Sequence, residues 1–159
     1  MKIRTDYVSN SSSSSFIVNF SDNGACIDHQ FMAMLKHLRY VSVHGNCKTK
    51  EQCDALKERA KSLFGTKYLS EWDDEDDYIC VELDSKSIDK ESDAQIELIR
   101  DILALKDSNM NCNGGDDYGE EAAETIQIAT LMEARYKPVE IEGDDHCDYT
   151  SIRGTEFDI

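Results

Sequence analysis

The chain has 159 residues, enough for one domain with a real core, and 40% of them are hydrophobic, so it should fold. Its formal charge is −16, from 33 Asp and Glu against 17 Lys and Arg, an excess that repels phosphate backbones and argues against direct nucleic-acid binding. No stretch approaches the roughly 20 apolar residues of a membrane span; Lys2 and Arg4 lead into Thr5, Asp6 and serines, not into the apolar run of a secretory leader.

Residues 1–15 end in five consecutive serines, Ser11 to Ser15. Serine side chains compete for local backbone hydrogen bonds, so this segment reads as an extended arm ahead of a single globular domain over 16–159. Phe16-Ile-Val-Asn-Phe20 reads as a buried strand, and Ser21-Asp-Asn-Gly24 as a turn. Asp28 can cap a helix to about Arg39, with Phe31, Leu35 and Leu38 on one face. Tyr40-Val-Ser-Val-His44 alternates like a strand and Gly45-Asn46 closes it. Thr49 followed by Gln52 is a capping-box pattern opening a second helix, with Cys53, Leu56, Ala60, Leu63 and Phe64 as its apolar face and Gly65 as its stop.

An acidic loop, Glu71 to Asp77, precedes the strand Tyr78-Ile-Cys-Val-Glu-Leu83. Ser92 with Gln95 repeats the capping pattern and opens a helix to about Lys106. Asn109 to Gly119 reads as a polar loop, and Glu120 to Arg135 as a helix with acidic first turn and basic end. Within that helix, the alternation of Thr125-Ile-Gln-Ile-Ala-Thr130 would also suit a strand. Pro138 ends the pattern, Val139 to Ile141 suits a short edge strand, and the tail from Gly143 is acidic and irregular. Helices alternating with short strands give an α/β or α+β domain: a small mixed sheet with about four helices packed on it.

The N-terminal run Tyr7-Val-Ser-Asn-Ser-Ser-Ser-Ser-Ser-Phe16, preceded by Lys2 and Arg4, resembles the N-termini of a scattered set of small, mostly uncharacterised proteins of bacteriophages and prophages. The resemblance spans about residues 1–18. It implies a phage or prophage origin, a location in the host cytoplasm or the virion, and an arm that could serve as an address.

Six cysteines, Cys26, Cys47, Cys53, Cys80, Cys112 and Cys147, include no C-x-x-C pair. Without a leader, free thiols are the expectation. The sharpest chemical pattern is Asn109-Met-Asn111-Cys-Asn113-Gly114 closing on Glu120. It resembles the EF-hand calcium loop, with Asn109, Asn111 and Asn113 at the alternating ligand positions, Gly114 at the sharp turn and Glu120 as the bidentate ligand. It departs from that pattern in the neutral Asn109, in Asp116 where an aliphatic belongs, and in having no second loop. The resemblance implies weak calcium binding; the other reading is a helix-to-helix turn of Asn and Gly. His44-x-x-Cys47 and Asp144-Asp-His146-Cys147-Asp148 each offer too few ligands for zinc unaided. No nucleotide-binding or serine-nucleophile motif occurs, and spacing gives no reason to pair Cys80 with His44 as nucleophile and base.

Charge is uneven: residues 1–69 sum to +4 and residues 70–159 to −20. Trp72 with Asp73, Asp74, Glu75, Asp76 and Asp77 would make an aromatic anchor rimmed by carboxylates. The expectation is therefore a non-enzymatic interaction protein whose acidic surface meets a basic patch on a host or phage protein, in its sharpest form as a nucleic-acid mimic. The alternatives are a virion component addressed by its arm, a calcium module without other cofactor, and an enzyme of unrecognised type.

Overall fold

In the computed structural model, the described residues are 15–19, 24–38, 40–65, 77–113, 120–136 and 140–143. Nine elements follow one another: β1 (Ser15–Asn19), α1 (His29–Leu35), β2 (Tyr40–Asn46), α2 (Lys50–Phe64), β3 (Tyr78–Asp84), α3 (Asp93–Leu103), β4 (Lys106–Asn113), α4 (Glu120–Tyr136) and β5 (Glu140–Gly143). The strands form one sheet in the order β3-β2-β4-β1-β5. The expected small sheet with four helices is what forms, and its ladders are antiparallel.

Three helices start where side-chain caps lie in the sequence. Asp28 accepts from the Phe31 amide at 2.8 Å, Thr49 from Gln52 at 3.1 Å and Ser92 from Gln95 at 3.2 Å. The Gln52 side chain reaches back past the cap residue and accepts from the Lys48 amide at 2.8 Å, which ties the chain entering α2 to its first turn. Gly65 ends α2 with φ of 89°, a left-handed region glycine enters without steric cost. The stretch 125–130 is helical within α4, not a strand.

Two helices stop sooner than periodicity suggests. α1 ends at Leu35 instead of near Arg39, because His37 and Leu38 bond three residues back, to Met34 and Leu35, and tighten the chain out of the α-helix. Leu38 is nevertheless buried. α3 ends at Leu103, where Leu105 likewise bonds to Ile102, and Lys106 opens β4 instead of closing the helix.

The connections β1-α1-β2, β3-α3-β4 and β4-α4-β5 each cross one intervening strand. The right-handed preference of such crossovers places all three helices on the same face. Packing agrees: one hydrophobic cluster holds Phe31 of α1, Leu56 of α2, Ile99 of α3 and Met132 of α4. The strand residues in that cluster, among them Phe16, Val18, Val41, Val43, Val81, Leu83, Met110 and Cys112, all share one parity of the pleat. The result is a two-layer arrangement of helices on one face of a sheet.

The largest departure from the sequence reading is β4. Asn109, Asn111 and Asn113 lie on a strand hydrogen-bonded to β1 on one side and β2 on the other, not in a loop. Asparagine is a poor strand former, but Met110 and Cys112 alternate with it and are fully buried. Two buried neighbours and two ladders outweigh the local preference. The expected edge strand near 139–141 is present as β5, paired to β1.

Candidate functional site

With the apolar residues of each strand committed to the helices, alternation sends their neighbours to the opposite face. Across that face run two rows fixed by strand register. One is Ile17, Asn111, Ser42 and Glu82; the other includes Asn109, His44 and Cys80. Among the described residues, no helix contributes to this side.

His44 is the centre of the cluster. Its Nδ1 lies 2.6 Å from the Tyr78 hydroxyl and its Nε2 lies 2.9 Å from the Ser42 hydroxyl. The two rings are 6.1 Å apart at 43°. A neutral imidazole donates through one nitrogen and accepts through the other, and either hydroxyl can take either part. The imidazole is therefore fixed at both ends between β2 and the first residue of β3. Cys80 is its register partner on β3 and Asn109 its register partner on β4. Ser42 and Cys80 are both buried, at 8% exposure. So the pairing of Cys80 with His44, for which spacing gave no reason, is a pairing the sheet creates. The arrangement can relay a proton along Ser42, His44 and Tyr78, and it offers groups that both donate and accept hydrogen bonds.

The outer side of the helical layer holds a second concavity. Gln52, Ala55, Leu56, Ala104 and Leu105 line a cleft of about 330 Å3 between α2 and α3, and Ser62, Leu63, Ala94 and Glu97 line a neighbouring one of about 280 Å3. Arg59 borders both, and its ion pair with Asp101, at 2.6 Å, crosses between the helices. Both partners are about half exposed, so the pair is worth little as stability.

The candidates from sequence fare differently. Asn109, Asn111 and Asn113 are spread along an extended strand, where alternate residues stand about 6.6 Å apart, so they cannot wrap an ion as an EF-hand loop does. Glu120 is the first residue of α4. His44 and Cys47 separate: His44 faces the polar cluster while Cys47 is buried in the hydrophobic core. Among the described residues, no group of three or more His, Cys, Asp or Glu side chains is placed to hold a metal ion. Trp72, Asp73, Asp74, Glu75 and Asp76 lie outside the described residues, as do residues 144–148; Asp77 is exposed in the turn before β3.

Ser42 and Tyr78 were missing from the sequence reading. The signal for Ser42 and His44 was present, since they alternate with Val41 and Val43; the signal for Tyr78 was not, because only the β2–β3 register brings it to His44. No described helix is long and apolar enough to cross a membrane. No protein-family model, no curated protein and no solved structure matches the chain.

Proposed function

We propose that this is a non-enzymatic, phage-type interaction protein that acts in the host cytoplasm or the virion by presenting an acidic surface to a basic patch on a host or phage protein. The observation that carries the reading is the charge of −20 over residues 70–159. Exposed carboxylates along this half support it: Glu82 on β3, Asp89 and Glu91 in the loop that follows, and Asp93, Glu97 and Asp101 on α3. The last three recur every four residues and so form one stripe, about 6 Å apart along the helix. Asp93 meets His29 at 3.0 Å and Asp101 meets Arg59, so Glu97 is the member of the stripe without a described ion pair. A basic partner would compete with His29 and Arg59 for the other two.

Exposed charge pairs are screened over about 10 Å at 0.1 M salt. The test is capture of partners by the tagged full chain from host lysate at low and high salt, read by mass spectrometry. A stoichiometric basic protein lost at high salt supports the reading. Capsid proteins held at both salts would move it to a virion component, and salt-insensitive binding would remove the acidic-surface mechanism.

A further inference from the structure

The valley between α2 and α3 is lined differently from the rest of the two helices. The start of α2 and the end of α3 line its larger cleft; the end of α2 and the start of α3 line the smaller one. The helices therefore run antiparallel, with one cleft towards each end of their contact. Away from the valley their exposed positions carry charge, as at Glu51, Asp54, Glu58 and Lys61. In the valley the exposed positions include three alanines: Ala55 and Ala104 in the larger cleft and Ala94 in the smaller. Below them, Leu105 and Leu63 are only partly buried against the core, one in each cleft. Covering these groups takes apolar surface out of water. Alanine also lets a further backbone approach to the about 8–10 Å at which helices pack.

Charge decides what covers the valley. Glu97 borders the smaller cleft and has no described ion pair. Asp101 borders the larger and is held by Arg59, in a pair exposed enough that exchanging Arg59 for another cation costs little. A second copy of this chain, at −16, would bring like charge to the same place. We infer that the valley seats a basic amphipathic helix of the partner, its aliphatic side chains in the two clefts and a Lys or Arg on Glu97. This rests on the acidic-surface reading above and gives that surface a location and its partner a form. Glu97 and Ala104 lie two turns apart on α3, about 10 Å, so the partner's aliphatic residues should recur at the same interval along one face.

The experiment titrates the isotope-labelled full chain, by amide NMR, with two synthetic Leu/Lys peptides of one composition. One has its leucines on a single helical face; the other is scrambled. The patterned peptide should bind about tenfold more tightly and shift the amides of Ala55, Leu63, Ala94 and Ala104. Ala55→Gln with Ala94→Gln fills both clefts at exposed positions without changing charge. It should abolish that roughly tenfold advantage and leave the scrambled peptide's binding as it was. Equal binding of the two peptides overturns the valley as the docking place while leaving the acidic-surface reading intact. No binding of either at low salt overturns both. A dimer of the full chain that the double variant dissolves gives the valley to a second copy and also overturns the inference.

Discussion

α1 has only seven residues, too few to hold itself as a helix, so its start should be sensitive to one side chain. Asp28 Oδ1 accepts from the Phe31 amide at 2.8 Å and from the Tyr136 hydroxyl at 3.1 Å. One oxygen thus caps α1 and ties it to the end of α4. Losing the cap costs about 1 kcal/mol, and losing a hydrogen bond to a charged group costs about 1.5 kcal/mol. Asp28→Ala should therefore destabilise by about 2–3 kcal/mol. Tyr136→Phe keeps the edge-on ring contact with Phe31 (4.9 Å, 80°) and should cost about 1–1.5 kcal/mol. The double variant should cost little more than Asp28→Ala alone, a coupling of about 1 kcal/mol in a double-mutant cycle read by urea denaturation. Asp28→Asn keeps an acceptor at both bonds and should cost the least. Burial, then the Asp28 carboxylate, raises the Tyr136 phenol from 10.0 to about 12. The raised value means its contribution is complete below pH 10 and is lost as pH climbs through 12. If the two single costs add within about 0.3 kcal/mol, the hydroxyl and the cap do not share Asp28 and the reasoning fails.

Gly45→Ala would place a Cβ 2.8 Å from Leu105 Cβ and 3.0 Å from the Ile102 carbonyl, backbone that cannot step aside; thermal denaturation should show a loss of about 1–3 kcal/mol. Asn111→Pro removes an amide from β4 where ladders flank it on both sides, so it should cost about 3 kcal/mol or more by the same assay, whereas tolerance would return this segment to a loop. His29 is raised above 6.5 by the Lys90 carbonyl, then by Asp93 and Glu91. The small stability it gives should be complete below pH 6.5 and lost as pH rises through its folded value; NMR titration should show the raised value, and Asp93→Asn should lower it.

The helix starts and the two-residue and near-four-residue periods were legible because they are local. Asp28, Thr49 and Ser92 bond to amides three residues away, and Phe31, Leu56 or Ile99 need only a helical period to share a face. The limits of the helices were less so. α1 and α3 end in tightened turns where Leu38 must enter the core and Lys106 must begin a ladder, and both demands come from elsewhere in the chain.

What the sequence by itself determined is the class of fold, the caps, the apolar faces and the charge divided at about residue 70. Tertiary structure decided the rest. Asn109 to Asn113 is mostly polar and reads as the start of a loop, yet it belongs to the central strand Lys106–Asn113, because β1 and β2 supply hydrogen bonds on both edges and the helices take Met110 and Cys112. The same register sets Tyr78 and Cys80 beside His44, and the packing of α2 on the sheet brings the Cys53 thiol to the Tyr78 carbonyl. These contacts join residues on separate elements, and nothing short of the pairing of strands fixes which side chains meet.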